Sequence, residues 1–201
     1  MMNTSLKGTG LRALGLLAIM MIICGVLYTG VMTGLTRLLF PEQSTGSIIT
    51  VDGVAYGSAF MGQPFTATNH LWGRPEAWTA IQGDDGTLRL YGAPTNLSPG
   101  DDAYGAEIKE RVARIAAAHP DQGNNPVPVD LVTGSGSGLD PEISVAAARY
   151  QVGRLSQTTG KSAAEINQII DECTRGKFLG IFGEKTVNVL KVNLMLDGIL
   201  K

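Results

Sequence analysis

The feature that most constrains the fold is an uncharged, apolar run from Ala13 to Leu35, which reads ALGLLAIMMIICGVLYTGVMTGL. An α-helix rises about 1.5 Å per residue and the hydrocarbon core of a bilayer is about 30 Å thick, so about 20 residues cross it. The run is apolar on every side, unlike a helix in the core of a soluble protein. The sequence therefore predicts a transmembrane helix over residues 13–36.

A cleaved signal peptide is the alternative explanation for this run. The apolar region of a signal peptide is about 7–15 residues long and is followed by a small-x-small cleavage site. The run here is longer, and no A-x-A pattern follows it. We therefore expect the segment to be retained as a membrane anchor.

The charges beside the span predict its direction. Lys7 and Arg12 precede it without an acidic residue, whereas Arg37 after it is soon followed by acidic residues. Positively charged flanks remain on the cytoplasmic side of a membrane. We expect a single-pass protein of the cell (inner) membrane, with residues 1–12 in the cytoplasm and residues 41–201 forming one extracytoplasmic domain.

Several small residues lie along the span. Gly30 and Gly34 form a GxxxG pattern, and such residues allow a second helix to approach closely within lipid. Glycine is also common in membrane helices that make no such contact. The candidate helix-packing residues are Gly25, Thr29, Gly30, Thr33 and Gly34.

The segment beyond the span is acidic and contains little that could bind a metal. From Glu42 onward it carries all 18 acidic residues and 13 of the 16 basic ones, a net charge of −5. This charge argues against nucleic acid as a partner, because phosphate backbones are bound by clustered Lys and Arg. The two cysteines, Cys24 and Cys173, form no CxxC pair or Cys/His cluster. The sequence predicts neither a disulfide framework nor a metal or other cofactor.

The order of the predicted elements indicates an α+β fold. Residues 47–65 mix β-branched residues with Gly and Asp-Gly, which predicts short strands and tight turns. Residues 66–105 are rich in Gly, Pro, Asn and Asp and are interpreted as ordered loops. Strands first and helices later indicate an α+β domain. The predicted architecture is therefore one N-terminal transmembrane helix followed by a single extracytoplasmic α+β domain.

Four helices are predicted in the second half of the chain. The first runs from Asp102 to Ala118 and ends at His119-Pro120, and the second begins at Asp140, as N-cap, with Pro141 as its first residue. The third begins with the capping box from Ser162 to Glu165. The last covers about residues 187–200, with an apolar stripe along one side.

The segment from Val132 to Asp140 is the strongest candidate for a binding loop. Backbone amides of Gly and Ser ahead of a helix can bind an anion. A P-loop also requires a lysine, and none is present here. A tightly turning loop without a ligand is the alternative.

His70 and His119 fit no metal or catalytic spacing and are interpreted as surface or loop histidines. The sequence contains no catalytic constellation.

Several blocks of sequence match a known family in order and spacing. They are Phe40-Pro41 after the span, GSAFMGQPF (57–65), WGRP (72–75), VPVDLVTGSGSGLDP (127–141), FGE (182–184) and VNVLKVNLMLD (187–197). Together they resemble the C subunit of the bacterial high-affinity potassium-transporting P-type ATPase, the Kdp complex. The likeness covers nearly the whole chain.

The resemblance implies a non-catalytic accessory subunit of an ATP-driven potassium importer. The implied partners are a channel-like potassium-translocating subunit, a P-type ATPase subunit and a small single-span subunit. The implied role is to stabilise the assembly and to aid potassium entry. The family is also proposed to act as a catalytic chaperone that raises the ATP affinity of the pump subunit. For that role the resemblance points to a glutamine close to the Gly/Ser loop, and the candidate nucleotide-binding residues are Gly134, Ser135, Gly136, Ser137, Gly138 and Gln151.

A second function remains open at this stage. The chain could be a membrane-anchored extracytoplasmic protein that binds a small ligand in the loop region between Asn69 and Tyr104. Because no residues are arranged for hydrolysis, an enzyme is not predicted.

Overall fold

The computed structural model describes residues 6–201, and the side chains of all of these except residues 6, 7, 78–81 and 88–90. The chain divides between Ser47 and Ile48 into two units. The first unit is helical, with α1 (Leu6–Met20), a π-helical stretch (Met21–Tyr28), α2 (Thr29–Leu39) and the short α3 (Pro41–Ser44). The predicted span, residues 13–36, lies within its continuous helix.

This helix has the length and composition of a membrane span. The segment Gly8–Leu39 contains 32 residues with a mean hydropathy of 2.3, and none of that apolar stretch is buried within the protein. Its π-helical stretch is accompanied by a hydrogen bond that Thr29 Oγ1 donates to the carbonyl oxygen of Cys24, five residues back, at 3.0 Å. The helix ends at Phe40, immediately before Pro41. Proline disfavours helical backbone in the residue before it.

The second unit contains three small antiparallel sheets. The strands are β1 (Ile48–Val51), β2 (Val54–Ser58), β3 (Trp78–Gln82), β4 (Leu88–Gly92), β5 (Glu142–Ser144), β6 (Thr174–Arg175) and β7 (Thr186–Asn188). The first four strands form two hairpins, and the last three form a sheet in the order β5-β7-β6. The strands predicted in residues 47–65 are therefore confirmed as β1 and β2.

The helices of this unit lie before, between and after the strands of the third sheet in the chain. They are α4 (Asp102–Ala118), α5 (Val145–Tyr150), α6 (Val152–Thr159), α7 (Ala163–Glu172) and α8 (Val189–Leu196), with 3₁₀ turns at Pro120–Gln122 and Val129–Leu131. An N-terminal apolar helix followed by a domain of mixed helix and sheet confirms the predicted α+β class. The predicted bounds of α4 are also confirmed, and Asp101 caps it by accepting a hydrogen bond from the amide of Ala103 at 2.8 Å.

One hydrophobic core holds the second unit together. Its members come from the third sheet, the helices around it and the segment before β3, and the fully buried ones include Leu71, Ile143, Ala147, Leu155, Ile166, Ile170, Val187 and Val192.

The capping box of α7 is present in full, since Ser162 Oγ accepts from the amide of Glu165 while the Glu165 carboxylate accepts from the amide of Ser162. This motif fixes the start of α7 locally.

The predicted start of the second helix at Asp140 is wrong. Residues 142–144 form strand β5, paired with β7, and α5 begins at Val145 with Ser144 as its N-cap. Asp140 instead accepts a hydrogen bond from the amide of Glu142 at 3.0 Å, in a turn. The strand forms because β7, distant in sequence, satisfies backbone groups that a helix would otherwise use. For the same reason the last helix begins at Val189 rather than at residue 187.

The predicted loop over residues 66–105 is also partly wrong, because it contains the β3–β4 hairpin. The hairpin pairs five residues of each strand, and its connection includes Gly86 with φ 76°. The amide of Gly83 donates to the carbonyl oxygen of Thr87 at 2.8 Å. Five-residue strands show too few alternations for their period to be evident beside many turn-forming residues.

Candidate functional site

The centre of the second unit contains a cluster of buried polar side chains. Arg154, Gln151, His119 and Asn193 are each at most 4% exposed. Gln151 lies at the junction of α5 and α6, Arg154 on α6, His119 at the end of α4 and Asn193 on α8. Buried polar groups are costly unless they are hydrogen-bonded, so the contacts of each one decide what the cluster can do.

Arg154 joins four acceptors at once. It donates to the carbonyl oxygens of Thr68 and His70, to His119 Nε2 at 3.0 Å and to Gln151 Oε1 at 2.7 Å. Its guanidinium carbon lies 4.1 Å from the ring centroid of Trp72. Burial lowers the pKa of Arg154 to about 10, so it remains charged near neutral pH. The side chain therefore fastens residues 68–72 to α6 and leaves little capacity for a ligand.

Two amide side chains bind the same segment. Asn193 accepts from the amide of Leu71 at 2.6 Å and donates to its carbonyl oxygen at 3.0 Å. Gln151 does the same for Trp72, with both bonds at 2.9 Å. Its Nε2 also donates to the carbonyl oxygen of Ala147 at 3.2 Å. Since Oε1 already accepts two hydrogen bonds and Nε2 donates two, Gln151 is saturated.

The prediction that His119 is a surface or loop histidine is wrong. Its Nδ1 donates to the carbonyl oxygen of Ile115 at 2.7 Å, while its Nε2 accepts from Arg154. A ring that donates from one nitrogen and accepts at the other is neutral. Burial lowers the pKa of His119, and the charge of Arg154 acts in the same direction. The hydrogen bond to Ile115 opposes this lowering. His70 is half-buried and lies 3.1 Å from Asp197.

The Gly/Ser loop, residues 134–138, is tightly packed from behind. Gly138 has φ 71°, and a Cβ there would lie 2.7 Å from the carbonyl oxygen of Ala77, so only glycine fits. Arg74 donates to the carbonyl oxygen of Gly134 at 3.0 Å, and Ser137 Oγ accepts from the amide of Leu139 at 3.1 Å. The loop is a tight turn held from behind by these contacts, and its role as a binding loop stays a prediction.

Gln151 is not hydrogen-bonded to the other candidate nucleotide-binding residues, which form the Gly/Ser loop. Among the described residues, the hydrogen bonds of Gln151 go to Trp72, Ala147 and Arg154, and none goes to residues 134–138. Asp140, two residues after the loop, lies 4.0 Å from Arg74 Nε and compensates part of its charge. Neither feature creates a cationic cradle for phosphate.

A cleft with a volume of about 340 Å³ lies between α4 and the segment before β3. Its charged lining consists of Arg74, Glu76, Arg111 and Arg114. Glu76 Oε2 is buried without a hydrogen-bond partner in the described part of the chain, and burial raises the pKa of Glu76 to about 7. Two of the arginines are already paired, Arg74 with Asp130 at 3.2 Å and Arg111 with Glu107.

The glycines of the span are open to an approaching helix. A Cβ placed at Gly25, Gly30 or Gly34 would find no atom within 4 Å among the described residues. Thr29 and Thr33, the other two candidates, are exposed. The packing role of all five stays a prediction.

Sequence reasoning missed the buried polar cluster. Two signals for it were present: Arg154 falls on the inner face of a helical pattern, and Asn193 interrupts the apolar run VLKVNLML. A polar residue at a core position indicates a buried hydrogen bond. Neither signal identifies its partners, which are about 80 to 120 residues away in the chain.

Fold and site together define a class of protein with one N-terminal apolar helix followed by an α+β domain. In the part of the chain that the structure describes, no group of three or more His, Cys, Asp or Glu residues could hold a metal ion. The buried polar residues of the domain bind its own backbone.

The chain belongs to the KdpC family, described as the c chain of a K⁺-transporting ATPase, whose family model matches residues 10–198. It is 50% identical over 193 residues to the potassium-transporting ATPase KdpC subunit of Clostridium botulinum (strain Eklund 17B / Type B), a match that covers 94% of this chain and 96% of the relative.

Two further relatives have the same description. The KdpC subunit of Clostridium perfringens (strain ATCC 13124) is 52% identical, over 90% of this chain and 92% of its own. That of Janthinobacterium sp. (strain Marseille) is 42% identical, over 96% and 99%. Membership of this family gives the chain an accessory role in a multi-subunit potassium pump.

Proposed function

We propose that this chain stabilises the assembled potassium importer without taking part in its chemistry. In this proposal the N-terminal helix is a transmembrane anchor, residues 1–12 are cytoplasmic and residues 41–201 are extracytoplasmic. The partners are the channel-like potassium-translocating subunit, the P-type ATPase subunit and the small single-span subunit. The observation that carries the proposal is the family match, which extends through both the apolar helix and the α+β domain.

The contacts of the domain support a structural role. Its buried arginine and amides are hydrogen-bonded to the backbone of residues 68–72 and hold that segment in one conformation. Preformed surfaces lose little conformational entropy on association. A stable subunit that adds no reactive groups can still hold other subunits together.

The catalytic-chaperone role of the family is proposed here without direct nucleotide binding by Gln151. The Gln151 amide has no free donor or acceptor, and contact with ATP would break its bonds to Trp72. ATP is also cytoplasmic, whereas the domain is extracytoplasmic in this proposal. Any effect on the ATP affinity of the pump subunit is therefore transmitted through subunit contacts.

Two measurements test the proposal. A reporter that is active only outside the cytoplasm, fused after Lys201, is expected to be active, and a cytoplasmic reporter is expected to be silent. Extraction in mild detergent is expected to yield this chain in a stable complex with the ATPase subunit. A monomeric chain after mild extraction, or an active cytoplasmic reporter, would contradict the proposal.

A second candidate function is supported by the cleft beside Glu76. A carboxyl group with a raised pKa and an unpaired oxygen, next to arginines, can bind a small polar ligand. The cleft also includes residues 72–76, inside the region from Asn69 to Tyr104. Native mass spectrometry of the purified full-length chain tests this function. A small molecule retained by the wild type and lost in Arg114→Ala would favour it over a purely structural domain.

A further inference from the structure

The hairpin between β6 and β7 carries four large apolar side chains at its end. We call residues 178–182, with the sequence FLGIF, the apolar tip. Phe178, Leu179, Ile181 and Phe182 are 62–75% exposed. Single exposed apolar residues are common, but four in five consecutive residues form a patch that a soluble surface normally avoids.

The tip has a defined backbone conformation. Phe178 and Phe182 exchange two backbone hydrogen bonds, at 2.8 and 2.9 Å, and Leu179 and Gly180 lie in the turn between them. Leu179 has φ 52° and Gly180 has φ 76°. The apolar side chains are therefore presented by a closed hairpin and do not belong to an extended, open segment.

A second hairpin shows which residue this geometry prefers. The turn between β1 and β2 also has two positive φ values, 51° at Asp52 and 80° at Gly53. Asp and Asn tolerate the left-handed region, whereas leucine is strained there. The Leu179 side chain is unfavourable both for its backbone conformation and for its exposure to water. Folding of the isolated domain does not explain such a residue, but contact with a partner does.

The charges around the tip favour a protein partner over a lipid surface. Lys177 is paired with Glu184 at 3.4 Å, and Arg175 is paired with Glu142 at 2.9 Å. In the described part of the chain, Lys185 is the one basic residue beside the tip without an ion pair, whereas anionic headgroups attract clusters of unpaired Lys and Arg. The segment from Glu42 onward also has a net charge of −5, which anionic lipid repels.

We propose that the apolar tip inserts into an apolar pocket on the extracytoplasmic surface of another subunit of the same potassium pump. The proposal rests on the proposed function, because it requires that the domain be part of the assembly. Aromatic residues are enriched at protein interfaces, and the side chains that carry most of the binding energy lie in well-packed pockets from which water is excluded. The tip is a cluster of aromatic and aliphatic side chains before it is docked.

Site-specific photocrosslinking tests the location of the contact. p-Benzoylphenylalanine is placed at Phe178, at Phe182 or, as a matched control, at Val54, which is also exposed and next to a hairpin turn. The full chain is co-expressed with the other pump subunits. Adducts to another pump subunit are expected from positions 178 and 182 but not from 54. Adducts to lipid alone, no adducts, or equal adducts from all three positions would overturn the proposal.

Substitution of Leu179 separates docking from folding. Leu179→Asn relieves the left-handed strain, so the Tm of the full-length chain in detergent is expected to rise by about 2–4 °C. Leu179→Asn, both alone and combined with Phe178→Ser and Phe182→Ser, is expected to reduce the amount of this chain that is recovered with a tagged ATPase subunit at least several-fold. Val54→Asn is expected to leave recovery unchanged.

The outcomes separate the tip from the wider function. If the wild-type chain itself is not recovered with the pump, the proposed function fails, and the docking proposal fails with it. If the wild type is recovered and the tip variants are recovered equally well, the docking proposal alone is wrong. A reduced recovery with an unchanged or raised Tm supports it.

Discussion

Two regions of the domain reverse the usual distribution of residues. Around Arg154, charged and amide side chains are buried, whereas at residues 178–182 aromatic and aliphatic side chains are exposed. The buried side chains are hydrogen-bonded to backbone on distant segments. The exposed side chains lie at the end of a hairpin that is closed by backbone hydrogen bonds between Phe178 and Phe182.

The difference separates two kinds of unusual residue. A buried polar group whose hydrogen bonds are all made within the chain stabilises the fold and has nothing left for a ligand. An exposed apolar group contributes little to the fold and is available to a partner. Substitutions around Arg154 should therefore reduce stability, whereas substitutions at residues 178–182 should reduce assembly.

The largest loss of stability is expected for Arg154→Ala. Removal of the guanidinium leaves the carbonyl oxygen of His70 and Nε2 of His119 without a donor and removes the contact with Trp72. It also removes one of the two donors to the carbonyl oxygen of Thr68 and to Gln151 Oε1. Breaking a buried network of this size costs roughly 4 kcal/mol in the free energy of unfolding. Thermal unfolding of the full-length chain measures it.

Arg154→Lys is the matched control for this variant. One ammonium keeps the charge but cannot reproduce the planar set of donors, so its loss should be smaller than that of alanine and still clear. A wild-type Tm in Arg154→Ala would remove the distinction between the two regions.

A somewhat smaller loss is expected for Gln151→Ala. The substitution leaves the Trp72 amide and carbonyl groups unpaired and costs roughly 3 kcal/mol. The proposed function predicts that this variant leaves potassium-stimulated ATPase activity nearly unchanged. Because Gln151 is buried, activity must be compared at equal folded concentration. Calorimetric titration of the full-length chain with ATP should show no saturable micromolar binding, with or without the substitution.

A moderate, pH-dependent effect is expected from His119. Because its pKa is lowered in the folded state, the unfolded chain takes up the proton first as the pH falls below about 6.5. The stability that neutral His119 provides is thus complete above this pH and is lost below it. The Tm difference between the wild type and His119→Gln should shrink between pH 7 and pH 5.

The comparison with a variant is necessary because Glu76 acts in the opposite direction. Its pKa is raised to about 7, so its contribution grows as the pH falls from 7 towards 4.5. Subtracting the two Tm profiles cancels this contribution, which both proteins share. A difference that stays constant from pH 7 to pH 5 would contradict the buried neutral ring.

The smallest change in stability is expected at the apolar tip. Phe178→Ser with Phe182→Ser removes exposed side chains and should change the free energy of unfolding by less than about 0.5 kcal/mol per site. Chemical or thermal unfolding of the full-length chain provides the measurement. A loss as large as that of Gln151→Ala would mean that the tip belongs to the folded core and not to an interface.

The sequence predicted elements whose signals are local. The capping box at Ser162 and Glu165 and the N-cap of α4 involve residues at most three positions apart, so both helix starts could be predicted. Strands β3 and β5 were missed because short strands are fixed by their partners. The sequence left the Gly/Ser loop open between an anion-binding loop and a tight turn, because its packing against Ala77 depends on a residue about 60 positions away.

The apolar helix, the α+β class and membership of the KdpC family follow from the sequence alone, because each depends on consecutive residues or on the order of motifs. The burial of His119, the saturated hydrogen bonds of Gln151 and the exposure of residues 178–182 become evident only in the folded domain. Arginine and glutamine are usually exposed, and a run such as FLGIF has the composition of a core strand. Whether a residue is buried depends on which distant segments pack against it, and the residues next to it in sequence do not identify those segments.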